Sequence, residues 1–160
     1  PLYIARRMIR FASEDIGLAD PNALLLTIAA RDSYHLLGSP EGELALAEAA
    51  VYLASAPKSN AIYNAFNQAK AAVKTYGYLP VPMHIRNAPT GLMKEIGYGK
   101  GYQYAHDDPE AFSAQEHLPE KLKGVHFYQP TNRGREKQIG ERMKYWQELK
   151  QKRNQQDGEK

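Results

Sequence analysis

The 160-residue chain contains no cysteine. Disulfides and thiolate metal centres are therefore excluded, and an intracellular compartment is the expected setting. No apolar run approaches the ~20 residues that a membrane helix needs, and no signal-peptide pattern opens the chain. Nowhere do apolar and polar residues alternate long enough to predict a strand. Internal repeats and low-complexity tracts are absent too. The glycine motifs of nucleotide sites also fail. Lys100 is followed by Gly101 where a phosphate loop needs Ser or Thr, and Gly97 and Gly99 lead to Tyr102 where a dinucleotide loop needs glycine. No catalytic, nucleotide-binding or metal-ligating residue is assigned to this chain.

What is present is helical. Residues 2–16 read as a first helix stopped by Gly17, with Leu2, Ala5, Met8, Ile9, Ala12 and Ile16 on one side. Asp20 and Pro21 open a second that Gly38 closes. Its Leu24, Leu25, Leu26 and Ile28 predict a central place in the core. Ser39 and Pro40 start a third, which runs to about Ala56 and stops at Pro57. Ser59 or Asn60 caps a fourth, with Ile62, Phe66, Ala69, Val73 and Tyr76 on one face and Gly77 at its end. Short turns predict that these last three pack as antiparallel neighbours. Beyond them, "YGYLPVPMHIRNAPTG" is proline-rich and reads as extended chain draped over the helices. A short helix is expected at about 90–96 and another after Asp108-Pro109. A last one starts near Asn132 or Arg133 and carries Ile139, Met143, Trp146 and Leu149. Residues 150–160 read as a polar tail. The expected fold is all-α, with a long irregular Pro/Gly/Tyr-rich segment packed on the helices.

Charge is uneven. Residues 1–57 hold four basic and seven acidic side chains, 58–106 six and one, 107–120 none and five, and 121–153 ten and three. Solvated helix faces explain most of this. The two basic blocks, 58–106 and 121–153, also suit a phosphate backbone, with Lys100, Arg133 and Arg135 as candidate DNA or partner contacts. The stretch "YGKGYQYAHDD" (98–108) reads mainly as a structural loop. Gly99 and Gly101 permit the turn, and Tyr102 and Tyr104 are expected to lie on the core; base stacking is the second reading. His106-Asp107-Asp108 suggests a metal cluster, but Asp108 before Pro109 is better explained as a helix cap. Ser59 beside Lys58 is likewise a cap rather than a Ser–Lys pair. The first and last helices have more apolar surface than one small core can cover, which predicts self-association.

Taken together, "PLYIARRMIRFASEDIGLADP", "PEGELALAEAAVYLASAPKSNA", "VPMHIRNAPTGLMKEIGYGKGYQYAHD" and "YQPTNRG" resemble the C-terminal region of the MgsA/RarA family. These are bacterial replication-associated recombination proteins, with the Werner-helicase-interacting ATPase as a eukaryotic relative. The resemblance runs in order from residue 1 to about 145. It implies an AAA+ ATPase acting in DNA replication, recombination and repair at stalled forks or gaps, with single-stranded-DNA-binding protein as a partner. It also implies a helical, clamp-loader-collar-like domain that holds a homotetramer in the cytoplasm, associated with the nucleoid. ATP and magnesium belong to an N-terminal AAA+ domain that is missing here. The start without Met, already in helical register, agrees with a piece of a longer protein.

The resulting reading is a non-catalytic oligomerisation domain over residues 1–149, followed by a polar tail. Its rivals are a DNA-binding module using the basic segments, and a small enzyme with an unfamiliar site.

Overall fold

The computed structural model describes residues 1–158 and is all-helical, with no strand among them. Its helices are α1 (Leu2–Phe11), α2 (Asn22–Leu37), α3 (Glu41–Ser55), α4 (Ala61–Tyr76), α5 (Gly91–Ile96) and α6 (Glu136–Gly158). The chain divides into two compact units. One comprises Pro1–Ala71 and Phe127–Glu141, the other Ala72–His126 and the chain from Arg142 onward.

In the first unit, α2 and α3 pack on one another and α1 lies against both. The first helix reaches residue 16 as expected but changes pitch on the way. After Phe11 it widens to a π-helical turn, Ala12–Ile16, then tightens to a 3₁₀ turn, Gly17–Ala19. Its predicted apolar side buries Ala5, Ala12 and Ile16, whereas Leu2 stays exposed. Asp20 accepts the Asn22 amide at 3.1 Å and the Tyr52 hydroxyl at 2.6 Å, fastening the start of α2 to α3.

The core is built of small side chains. One cluster holds Ala12, Ile16, Ala23, Leu53 and Ala56, another Ala5, Ala30, Leu46 and Ala49, and Met8 packs against both. This corrects the expectation for α2. Its buried residues are Ala23, Thr27 and Ala30, while Leu25 is 66% exposed and Leu24, Leu26 and Ile28 are only half-buried. Close approach of the two helices is the reason. A Cβ on Gly42 of α3 would stand 2.7 Å from the Tyr34 Cα of α2, so no side chain fits at that crossing, and α2 turns Ala23, Thr27 and Ala30 toward the core. Thr27 is admitted because its hydroxyl donates to the Ala23 and Leu24 carbonyls, each at 2.9 Å.

Nor does α4 pack beside α2 and α3 as predicted. The Ser59 amide donates to the Asp15 carbonyl at 2.7 Å, which anchors the start of α4 beneath the end of α1 and not along the hairpin. Ala61 is its one buried residue, and Ile62 and Phe66 are exposed.

In the second unit α5 is capped as expected: the Thr90 hydroxyl accepts the Met93 amide at 3.3 Å, and Gly97 closes the helix. The helix predicted after Asp108-Pro109 does not form. Ala111 takes a left-handed φ of 49°, and the Asp108 carboxylate accepts the Glu110 amide at 2.9 Å in a local turn.

Helix α6 starts at Glu136, later than predicted. Gly134 delays it, with φ +50° and its α-carbon so close to Ala19 and Pro57 that a Cβ would run into both. The next amide, that of Arg135, donates to the Ala19 carbonyl at 2.8 Å. At its far end the helix continues through the polar residues 150–158.

Candidate interaction surfaces

A core in which alanines outnumber Ile16, Leu46 and Leu53 leaves many larger apolar side chains of the first unit outside. On α2, Leu25, Leu36 and Leu37 are exposed, Leu36 to 85%; on α3, Leu44 and Val51 are, Val51 to 71%. Leu2, Tyr3 and Ile4 stand out at the start of α1, part of the apolar surplus expected of the first helix. Tyr3, Ile4 and Phe11 of α1 and Ala50 and Ala54 of α3 line an open apolar groove of about 440 Å³.

Glu136 ties three segments of this unit together. It is fully buried, at 0% exposure. Oε2 accepts the Ser59 hydroxyl at 2.7 Å, the Thr131 amide at 2.9 Å and the Thr131 hydroxyl at 2.7 Å, and Oε1 accepts the Tyr128 hydroxyl at 2.9 Å. Burial pushes the Glu136 carboxyl up, but the Thr131, Ser59 and Tyr128 donors outweigh it and hold the group below the usual carboxylate range. Burial, with the neighbouring carboxylate, pushes the Tyr128 phenol well above its ordinary value. Sequence reading missed Glu136. Its only trace was Thr131 shortly before a glutamate at the head of a helix.

Ser59 is a cap, accepting the Ala61 amide at 3.2 Å while donating to Glu136. Lys58 does not activate it. The ammonium donates to the carbonyls of Leu53 at 2.8 Å and of Ala56, closing the C-terminal end of α3. Arg133 and Arg135 flank Gly134 on the exposed turn before α6. The Arg133 guanidinium donates to the Lys58 carbonyl at 3.1 Å.

Lys100 belongs to the second unit, whereas Arg133 and Arg135 belong to the first, and it is exposed. Gly99 and Gly101 have φ of +71° and +79°, the left-handed geometry that the loop's turns require. Tyr102 and Tyr104 do not lie down on a core. They are 53% and 54% exposed, and the loop is held by backbone and amide contacts. The Gln115 side chain accepts the Gln103 amide at 2.9 Å and donates to the Gly101 carbonyl at 2.5 Å. Tyr98 is the aromatic that packs: the Arg86 guanidinium lies 5.0 Å from its ring centre and donates to its hydroxyl at 3.2 Å. Asp108, expected as a helix cap, pairs with Arg153 at 2.9 Å, which holds its carboxyl below the usual range. No three His, Asp or Glu side chains converge as a metal site would require among the described residues. No helix there is long and apolar enough to cross a membrane.

Known proteins resemble the chain along nearly its whole length. A family model described as the MgsA AAA+ ATPase C-terminal region matches residues 1–147. The chain is 54% identical over 150 residues to replication-associated recombination protein A of Coxiella burnetii, covering 93% of this chain and 34% of that protein. Against the protein of the same name in Escherichia coli it is 52% identical over 144 residues, 89% of this chain and 32% of that one. It is 48% identical over 130 residues to the ATPase WRNIP1 of Dictyostelium discoideum, 81% of this chain and 15% of that one. The chain thus spans about a third of the length of the bacterial relatives it matches. On this evidence the chain belongs to the MgsA AAA+ ATPase C-terminal family.

Proposed function

We propose that this chain is the non-catalytic, collar-like assembly domain of an AAA+ ATPase of DNA replication, recombination and repair, and that it closes into a homotetramer. The observation that carries this reading is the inverted use of apolar residues. Alanines make up most of the core, while Leu25, Leu36, Val51 and Phe66 stand in solvent. Covering each such side chain is worth roughly 1.5–3 kcal/mol, so burying several of them against other copies stabilises an assembly. Names of the relatives, which are replication-associated recombination proteins and an ATPase, support the wider setting. ATP and magnesium then act in a separate AAA+ domain, and this chain binds neither. The assembly domain proper covers residues 1–149. Work at stalled forks or gaps, contact with single-stranded-DNA-binding protein through the whole protein, and a cytoplasmic, nucleoid-associated place complete the reading.

Light scattering across a dilution series tests it. A tetramer mass is expected, falling toward the monomer when Leu36→Glu and Val51→Glu are combined. A monomer mass for the parent at tens of micromolar, roughly the range in which micromolar contacts form, would overturn it. Direct DNA contact through Lys100, Arg133 and Arg135 is the second reading, favoured by the exposure of all three. There, removing one cation flattens the slope of log affinity against log salt by about one unit.

A further inference from the structure

The segment Asp107–Glu116 carries four carboxylates, and α6 answers three of them. Tyr145 donates its hydroxyl to Glu110, Lys150 pairs with Glu116 at 3.3 Å, and Arg153 pairs with Asp108 at 2.9 Å. Arg153 is the most completely held. Its guanidinium also donates to the Phe112 carbonyl at 2.8 Å and lies 5.5 Å from the centre of the Phe112 ring. Phe112 is stacked in turn on Trp146, with centroids 6.4 Å apart. This segment therefore binds one guanidinium with a carboxylate, a carbonyl and an aromatic face, the set that planar cations prefer.

Next to that guanidinium is an open cleft of about 500 Å³, walled by Tyr102, Tyr104, Asp107, Asp108, Phe112 and Arg153. The segment's fourth carboxylate, Asp107, is exposed, and its side chain has no hydrogen bond or ion pair among the described residues. The Tyr104 ring packs against His106, centroids 5.1 Å apart, whereas the Tyr102 ring has no aromatic or cationic neighbour there. The lining holds two carboxylates against one guanidinium, so one further cation brings it to neutrality. A phosphate chain would instead meet Asp107 unscreened.

We propose that this cleft takes an arginine side chain from a basic segment of a partner polypeptide, its guanidinium against Asp107 and across the Tyr102 ring. The cleft offers an outside arginine a carboxylate and an aromatic face, two of the three kinds of group that already seat Arg153.

The test is fluorescence anisotropy of a dye-labelled Gly-Arg-Gly-Arg-Gly peptide titrated with the whole chain. A peptide carrying neutral citrulline for arginine and a single-stranded oligonucleotide form the other arms. The arginine peptide is expected to bind and the citrulline peptide not. Asp107→Asn and Tyr102→Ala should each weaken binding by about fivefold, and Tyr102→Phe should leave it unchanged. Both positions are exposed, so circular dichroism and melting of the variants should match the parent. No binding at millimolar peptide, or equal binding by Asp107→Asn, overturns the proposal. So does an oligonucleotide affinity that depends on Tyr102 and tightens with Asp107→Asn, which would assign the cleft to nucleic acid. Scattering mass, measured on the same samples, reports on assembly separately.

Discussion

Glu136 offers the sharpest test of how the first unit is held. Its carboxylate accepts four hydrogen bonds in full burial. Truncation to alanine leaves the Ser59, Thr131 and Tyr128 donors without an acceptor. Each stranded group costs about 1–3 kcal/mol, partly relieved where a hydroxyl turns away. A loss of about 3–4 kcal/mol follows, a large share of the ~5–15 kcal/mol that a domain possesses. Glutamine is milder. Its oxygen can face Ser59 and Thr131 while its amide donates to a rotated Tyr128 hydroxyl, so only the charge is lost, about 1–2 kcal/mol. The pH dependence has a definite sign. The folded carboxyl lies below its ordinary value, so its contribution is fully present above the unfolded pKa of about 4.3 and is lost as pH falls through the lower, folded value. Urea unfolding at pH 7 and at pH 3, at one fixed chain concentration, should therefore show parent and Glu136→Gln far apart at pH 7 and closer at pH 3. A Glu136→Ala variant as stable as the parent at pH 7, or a parent–glutamine gap that ignores pH, would refute the account.

Gly134→Ala should cost at least about 2 kcal/mol by denaturant midpoint, since it combines left-handed strain with a Cβ driven into the Ala19 carbonyl and the Pro57 ring. Tyr102→Ala and Tyr104→Ala should each shift the melting temperature by less than about 2 °C, because both rings are more than half exposed. Leu53→Ala, made at a buried core position, should instead cost about 2–5 kcal/mol.

Helix existence was legible because its signals are local. Proline at a first turn, glycine at a last one and Thr90 three residues before Met93 act within a few residues of themselves. Which residues meet was harder to read. Leu25 and Leu26 are the strongest apolar signal in α2, yet the seam with α3 is set by Gly42 against Tyr34, a distance that hydrophobicity does not encode. The same holds for Asp108. Before a proline it has the form of a helix cap, and only Arg153, 45 residues away, shows its other use. Of the candidate loop, Gly99 and Gly101 were readable as turn residues from their type alone. The loop around Tyr102 and Tyr104 is bonded to Gln115, a contact 12 to 14 residues away that no spacing rule contains.

The Ser59–Glu136 hydrogen bond joins positions 77 apart in the chain, across a segment, 72–126, that belongs to the other unit. During synthesis the α2–α3 hairpin is complete long before Glu136 leaves the ribosome, whereas the start of α4 waits for it. Bringing the two ends together costs about 4 kcal/mol of chain entropy on (3/2)RT ln n for a flexible loop, and less once the intervening residues have compacted. Segment 72–126 thus acts as a folding spacer: collapse within it shortens the tether that the first unit must close. A nascent chain stalled before residue 136 should expose the α1–α3 seam to proteases at the α4 end, and release of the last helix should end that exposure.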